Sequence, residues 1–519
     1  MNIKKYDVVV VGGSIGGVLA SLSLLKSNLK VALTEETAWI GGQLTNQAVP
    51  SDEHKWIEEF GCTRTYREFR NKIREHYKNH PHFKEEVSSK PNFNPGGGWV
   101  SRITAEPKVA HKIFEEMISE YLKSGQLELF LETKAISAEV VDDEVQSVVI
   151  QNNKTAEKLT LIGKFFLDAT DVGSLLPLTN TEYVTGAESK AETNEPHAKE
   201  VACPLDMQPV TWVAAVEFAK GENHVIEKPK MYDYFNSHKV DIGCDYKALS
   251  WEYPLSKDGG MRRASLFGHD GAHFFNYRKI INSDYFLNGF NKNDVTLLNW
   301  PQNDYTFGNI YESEDAKEHL EMARELTLSV IYWLQTEAPR EGGKFGYPEI
   351  KLRGDVVGTN DGLAMAPYIR ESRRIKALHT IKEQDISLNK NKVLPRVYDS
   401  VGIGSYHIDI HMTTVSKTFF FEHCLPFEIP LGSLIPIKTK NLLPACKNIG
   451  TTHITNGCFR LHPVEWNVGE VAGYFAAYCL RLNMNPQEVY KDQDLIKSFQ
   501  AKLIQAGIEL SWPENVLEL

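Results

Sequence analysis

The residues best equipped for chemistry lie in the run Ser405-Tyr-His-Ile-Asp-Ile-His411. Read as a strand, it turns His407, Asp409 and His411 to one face and Ile408 and Ile410 to the other, because successive side chains alternate. Two imidazoles and a carboxylate facing one cavity can relay protons. The same residue types can ligate a metal, but no remote ligand set completes a site and no metal is expected. The plain alternative is a polar strand face bonded to its neighbours. Further candidates are His453 and Arg460, with His462 and Glu465 close by in sequence. Asp52-Glu53-His54 is another polar cluster, and Trp99, Ser101 and Arg102 follow a Gly-rich loop and are candidates for a cavity wall. Ala366 to Leu378 reads as a helix. That would set Arg370 and Arg374 one turn apart, either as a clamp for a carboxylate or as surface partners of Glu371.

What these groups work with is indicated by the start of the chain, Asp7-Val-Val-Val-Val-Gly-Gly-Ser-Ile-Gly-Gly17. The apolar run Val8 to Val11 breaks into a Gly-rich turn, and Val18, Leu19, Leu22 and Leu25 follow at helical spacing. A buried strand, a tight turn and a helix N-terminus together hold a dinucleotide pyrophosphate. Gly12 permits the turn and Gly17 lets the helix pack on the sheet. Ser14 takes the place of the second glycine in G-x-G-x-x-G and is small enough for a phosphate to approach. Lys30-Val-Ala-Leu-Thr-Glu35 reads as the second strand. Glu35 lies 23 positions after Gly12, close to the roughly 20 expected of the acid that accepts from a ribose hydroxyl. A carboxylate there suits a diol and repels a 2′-phosphate, which favours FAD or NAD over NADP. No second turn of this kind follows a strand, so a separate NAD(P)H domain is not expected. The chain has no G-x-S-x-G, G-x-x-x-x-G-K-[ST] or H-E-x-x-H motif, and hydrolase and kinase readings lack support.

Positioning these groups takes several elements. Helices are expected near Tyr66 to Tyr77, over Glu106 to Lys123, over Ser313 to Thr336 with Ser313 as N-cap, and over Val468 to Leu480. Strands are expected at Leu127–Leu131, Ile136–Val141, Val145–Ile150 and Lys158–Ile162, and Phe165–Asp171 ends a further buried strand in an acidic, polar turn. Thr45 to Gly98, closed by Pro91-Asn-Phe-Asn-Pro-Gly-Gly-Gly98, is either an excursion over an active site or a solvated insert. The strand Asn441–Cys446 and the helix after it return late in the chain, which implies a discontinuous nucleotide lobe. At 519 residues two or three lobes are expected. A net charge of −11 argues against nonspecific nucleic-acid binding. No apolar run is long enough to span a membrane, and the chain enters a core strand too soon to leave room for a cleaved leader. Seven scattered cysteines, Cys62, Cys203, Cys244, Cys424, Cys446, Cys458 and Cys479, with no C-x-x-C, read as reduced thiols of a cytoplasmic protein.

Three groups of residues carry a resemblance. They are the Gly-rich turn with Glu35; Trp39-Ile-Gly-Gly-Gln-Leu-Thr45; and Leu167-Asp-Ala-Thr-Asp171 with Asn448-Ile-Gly-Thr-Thr-His453 and Arg460-Leu-His-Pro-Val-Glu-Trp-Asn-Val-Gly469. Over essentially its whole length the chain resembles the FAD-dependent oxidoreductases of the glutathione-reductase-like superfamily. It is most similar to a bacterial branch with no assigned substrate. The resemblance implies that Gly12, Gly13, Ser14, Gly16 and Gly17 face the pyrophosphate and that Glu35, with Glu36, faces the adenosine ribose. Gly41, Gly42, Gln43 and Leu44 would pass the flavin side, and the Ala135 backbone would meet the adenine. Asp168, Ala169, Thr170 and Asp171 match an A-T-G-D-like turn, in which Asp171 replaces the usual glycine. Thr452, His453, Asn456 and Arg460 would lie near the isoalloxazine. The helix from about Asn467, including Gly469, would point its N-terminus at the pyrimidine edge, where it steadies negative charge.

The expected fold is therefore α/β, with a Rossmann-like FAD-binding domain discontinuous over 1–50, 100–180 and 432–485. An excursion covers 51–99, an inserted α+β substrate domain 181–431 and a helical segment 486–519. The expected function is oxidation of a small polar organic molecule by hydride transfer to noncovalent FAD, with electrons passed to O2 or another acceptor. His407, Asp409, His411, His453 and Arg460 are the expected catalytic group. A flavin-dependent monooxygenase and a redox-neutral flavoenzyme are alternatives within enzymology; a noncatalytic dinucleotide-binding sensor is the alternative outside it. Sequence leaves the oligomeric state open.

Overall fold

All four residues of Val8–Val11 are buried because the strand is the middle member of a five-stranded parallel sheet. The computed structural model describes residues 2–241, 245–254, 260–268, 272–388 and 393–517. Its site-building strands are β1 (Asn2–Lys5), β2 (Val8–Val11), β3 (Val31–Thr34), β4 (Leu127–Phe130), β5 (Thr133–Val141), β6 (Glu144–Asn152), β7 (Lys158–Ile162), β8 (Phe165–Asp168), β9 (Ala214–Phe218), β10 (Val295–Leu298), β11 (Ile408–Ile410) and β12 (Leu442–Pro444). The helices are α1 (Ile15–Lys26), α2 (Arg64–Lys78), α3 (Pro107–Ser124), α4 (Ala316–Thr336), α5 (His453–Phe459), α6 (His462–Leu482) and α7 (Gln493–Ala506).

The parallel sheet runs β12-β8-β2-β3-β4, so a strand from the end of the chain pairs beside strands from its beginning. Val8, Val10 and Leu33 face a core shared with α1, α3 and α6, while Val9, Val11 and Phe166 face the other way. That second face is covered by the sheet β1-β7-β6-β5 through Val148 and Leu161. Helices, parallel sheet and a smaller sheet thus form three layers, each burying an apolar face it could not leave in water. A separate core lies under the antiparallel sheet holding β9 and β10 and under α4, with Trp251, Trp300, Leu326 and Val330 inside it. Ile408 and Ile410 of β11 belong to the first core, not to this one. Among the described residues no helix is long and apolar enough to cross a membrane, and the six described cysteines are free. Cys244 lies outside the described residues.

The excursion is anchored rather than solvated. Tyr66 and Phe69 of α2 pack on Trp466 with ring centres 5.1 and 5.0 Å apart, and the Trp466 indole N–H donates to Thr65 at 2.8 Å. Arg70, 1% exposed, bonds Glu53 at 2.8 Å and Glu58 at 2.6 Å. Removing it takes away the only arginine partner seen for the buried Glu53 among the described residues and leaves Glu58 to Arg74 alone, at 2.6 Å. We expect Arg70→Ala to cost about 3–5 kcal/mol in urea unfolding; a loss below about 1 kcal/mol would show that the excursion does not depend on this cluster.

Three expectations about elements need correction. Residues 366–378 form no helix; they are extended or irregular, and Arg374–Ile375 pairs with Tyr183–Val184. The charged residues there are buried and seek partners on different sides, which an extended chain allows and one helical stripe does not. Ser313 is not the N-cap of α4. The helix begins at Ala316, and the Ser313 hydroxyl donates to the Asn309 carbonyl at 2.7 Å. Finally, α6 starts at His462, not near Asn467, with Pro463 in its first turn, where a missing N–H costs nothing.

Candidate active site

The turn between β2 and α1 is shaped by contacts that exclude side chains. Gly12 has φ +101°, and a Cβ there would come within 2.4 Å of the Ala169 carbonyl carbon and oxygen. Gly12 and Gly17 therefore serve the turn as the spacing implies. Ser14 is the N-cap of α1, its Oγ accepting the Gly17 N–H at 3.3 Å. Glu35, at the end of β3, accepts the Gly13 N–H at 3.1 Å on Oε2. On Oε1 it accepts Thr37 N–H at 2.8 Å, Thr37 Oγ1–H at 2.7 Å and Asn46 Nδ2–H at 3.1 Å. Burial pushes its carboxyl up to about 7, against the pull of the Thr37 hydrogen bonds. Oε2, with one bond among the described residues, keeps a lone pair for a hydroxyl. Glu36 beside it is exposed, its carbonyl accepting from Asn153 at 3.1 Å. Ala135 is half-buried in β5, paired with Ile150.

The second wall comes from β8 and the C-terminal helices. Asp168 accepts Thr170 N–H at 3.0 Å and Leu175 N–H at 3.0 Å, so it fixes the turn holding Ala169 and Thr170. Burial pushes its carboxyl up to about 6. Asp171 pairs with the buried Lys447 at 2.6 Å. Lys447 also faces Glu465 at 3.4 Å, and Glu465 accepts the Gly16 N–H at 3.4 Å at the start of α1. Gly469 lies within α6 against α1, where a Cβ would stand 2.3 Å from the Gly16 carbonyl oxygen, so the role visible for it is close helix packing. Gly41, Gly42, Gln43 and Leu44 form a buried loop and 3-10 turn, Gly41 N–H donating to Gly13 carbonyl at 2.7 Å. Gln43 Nε2 reaches across to Glu465 and to the Arg460 carbonyl, the latter at 3.1 Å.

These residues fit FAD. Gln43, Asn46 and Gln47 each bury an amide oxygen without a partner, and Asn456 Nδ2 and Gln208 Oε1 are buried and unpartnered too. Each such atom costs about 1–3 kcal/mol if nothing polar meets it. Gln43, Asn46, Gln47 and Asn456 lie on or next to the segments implied to run along the cofactor, and Gln208 bonds Asn456 at 3.4 Å.

Beside this cradle opens a cavity of about 370 Å³. Asp52, Tyr277, Arg278, Asn299, Asp304, Tyr368, Arg370, Tyr406, Asp409, His411, Arg460 and His462 line it. His411 stands between two carboxylates, its Nδ1 2.8 Å from Asp304 and its Nε2 3.4 Å from Asp409. Burial alone would raise Asp304, but Arg370 and His411 outweigh it and hold the carboxyl at about 2. Burial pushes Asp52 up to about 6, although Arg278 and Arg460 pull the other way. The Tyr406 hydroxyl donates to Asp52 at 3.3 Å. Asp52 N–H donates to His462 Nδ1 at 3.0 Å, which places the ring proton on Nε2. Burial drives the His462 imidazole down to about 3, so it is neutral.

Of the expected catalytic group, Asp409, His411 and Arg460 meet in the cavity; His407 and His453 do not line it. His407 keeps to the face of Asp409, but its ring packs on Phe421, the cross-strand partner of Asp409, and on His423, with ring centres 4.6 and 5.1 Å away, rather than opening into the cavity. His453 is buried against Glu371, its Nδ1 2.9 and 3.0 Å from the two oxygens. Burial disfavours its charge, but Glu371 outweighs that and raises its pKa. Arg370 and Arg374 form no clamp on one helical face: Arg370 bonds Asp304 at 2.9 Å and Arg374 bonds Glu188 at 2.8 Å. Trp99, Ser101 and Arg102 do not line the cavity, and Trp99 is exposed. Of the Asp52-Glu53-His54 cluster only Asp52 reaches it; Glu53 serves Arg70, and His54 Nε2 lies 2.9 Å from the Gly61 carbonyl. Sequence reasoning missed Arg278 and Asn299, which come from loops, and Asp304, which sits in a two-residue strand paired with Val210–Thr211, none of them marked by a motif.

A family model described as FAD dependent oxidoreductase matches residues 7–503. No curated protein matches the chain. Among solved structures, L-proline dehydrogenase from P. horikoshii is 16% identical, with 36% of this chain and 24% of that one covered and a TM-score of 0.19. The chain thus spans about a quarter of that protein's length. Quinol fumarate reductase FrdA of E. coli is 11% identical over 97% of this chain and 74% of that one, with a TM-score of 0.35. A geranylgeranyl bacteriochlorophyll reductase-like protein from Thermoplasma acidophilum is 10% identical over 98% and 85%, with a TM-score of 0.34. None of these likenesses is close enough to say what this chain acts on. The family match spans nearly the whole length: the chain belongs to the FAD dependent oxidoreductase family and is an FAD-dependent oxidoreductase.

Proposed function

We propose that the chain oxidises a small polar organic molecule held in the cavity of Asp52, His411 and Arg460, with electrons passed on to O2, a quinone or a carrier protein. FAD, when bound, accepts the hydride that leaves the substrate carbon. The chain's own task is to hold the substrate and take the proton. For an alcohol, loss of hydride from C–H and of a proton from O–H leaves a carbonyl, so a base must stand at the oxygen. The observation that carries this reading is Asp52, a carboxyl held at about 6 by burial in the cavity wall and bonded by Tyr406. A base poised near the working pH is the useful one. His411, fixed between Asp304 and Asp409, orients the polar end of the substrate and offers a route for the proton away from Asp52. Arg460 is steadied by the Tyr368 hydroxyl at 2.7 Å and by the Asp409 carbonyl at 3.3 Å, which aims it at a substrate oxygen. His407 and His453 have no part in this reading.

The test is anaerobic mixing of the yellow protein with a panel of alcohols, amines and hydroxy acids, following bleaching of the band at about 450 nm. Bleaching by a member of the panel supports the reading. Bleaching by NAD(P)H and by none of the panel would contradict it and point to a reductase.

A further inference from the structure

The polar atoms left fully buried and unpartnered on residues that line the cavity are all of one kind. On residues lining it, the buried side-chain atoms with no hydrogen-bond partner are Nε of Arg278, Arg370 and Arg460, Nδ2 of Asn299, Nε1 of Trp300 and Nε2 of His462. Each is an N–H donor, the last because His462 Nδ1 accepts from the Asp52 backbone. Among the described residues, no acceptor on the wall is left in the same condition. A cavity meant for neutral polar ligands would want both kinds, since hydroxyls and amides donate as well as accept. The same wall also carries the carboxylates of Asp52, Asp304 and Asp409, so what singles out a ligand is the place where the donors lack a carboxylate partner.

The arginines are committed unequally. Arg370 bonds Asp304 at 2.9 Å, Thr211 Oγ1 at 2.8 Å and the Pro209 carbonyl at 2.9 Å. Arg460 bonds Tyr368 and lies 3.8 Å from Asp409. Arg278 has no carboxylate within 4.0 Å among the described residues; its guanidinium lies 4.9 Å from the Tyr277 ring centre and donates to the Asn299 carbonyl. A half-buried guanidinium with no carboxylate in ion-pair contact, acting on Asp52 only at longer range, beside the unpartnered donors of Asn299 and Trp300, is a receptor for an acceptor-only anion. The planar anion of a size suited to this space is a carboxylate.

We infer that the substrate is a small carboxylate, whose anionic end pairs with Arg278 and Asn299 while its oxidisable end faces Asp52 and His411. This rests on the cavity being the substrate site and adds the substrate class. It requires binding alone and no further co-reactant.

The test is isothermal titration calorimetry of the purified FAD-loaded protein with acetate, lactate, succinate and benzoate, each against its neutral amide. The expected result is saturable heat from at least one carboxylate, with its amide binding at least 10-fold more weakly. Arg278→Gln should weaken the bound carboxylate about 10- to 100-fold, and Arg278→Lys less, with flavin content and melting temperature unchanged. No binding by any of the four, equal binding of acid and amide, or indifference to Arg278→Gln would overturn the inference. The same preparations separate it from the oxidase reading. Calorimetry reports anion binding whether or not a substrate bleaches the flavin, so either idea can fail alone.

Discussion

Gly12→Ala is expected to yield a folded protein that binds FAD at least about 100-fold more weakly than the parent. Two costs combine. The φ of +101° is one that an alanine pays about 1–3 kcal/mol to hold. The added Cβ would also meet the Ala169 backbone at 2.4 Å, and backbone, unlike a flexible side-chain tip, cannot step aside without moving the 168–171 turn. About 3 kcal/mol in all is about 100-fold in affinity. Equilibrium dialysis against FAD measures it, and far-UV circular dichroism checks the fold. Gly221→Ala is the control. Gly221 has φ +82° but nothing within 4 Å of a Cβ, so that variant carries the backbone strain without the crowding and should keep its flavin. Equal FAD affinity in Gly12→Ala and the parent would mean that the turn does not touch the cofactor.

Asp52→Asn is expected to lower kcat by about 10²–10⁴-fold while the protein stays yellow, because the amide cannot accept a proton. The pH dependence gives the sharper signature. A carboxyl held at about 6 is protonated below that pH and cannot act as a base. The parent's kcat/KM should therefore fall as pH drops through about 6, tenfold per unit. In Asp52→Asn the residual rate should lose that limb. A variant that keeps both the rate and the acid limb would move the base elsewhere, with His411 next in line.

The parts of this molecule that are local in sequence were legible, and the parts built from distant loops were not. The turn after Val11, Glu35 at the end of its strand and the returning strand Leu442–Pro444 follow from periodicity and glycine spacing over short stretches. The start of α6 was missed, although Pro463 signals it. The helix expected over 366–378 rested on charged and apolar residues at helical intervals. That pattern means a solvated face only if the charges are solvated, and Arg370, Glu371 and Arg374 are all buried. His407 shares a face with Asp409 yet spends its ring on Phe421 and His423, because which residues of a strand face meet a cavity depends on the neighbouring strand and not on alternation alone. Arg278, Asn299 and Asp304 enter the cavity from loops and a two-residue strand between β9 and α4, and nothing in their spacing announces that they meet residues more than a hundred positions away.

The central claim is that the two ends of the chain hold one FAD whose reactive ring opens onto the cavity of Asp52, His411 and Arg460. A crystal structure of the FAD-loaded protein tests it most directly. The expected map places the pyrophosphate at the Gly12–Gly17 turn, a ribose hydroxyl on Glu35, and the isoalloxazine edge facing that cavity. A ring that lies away from Asp52, His411 and Arg460, with the cavity sealed from it by protein, would contradict the claim.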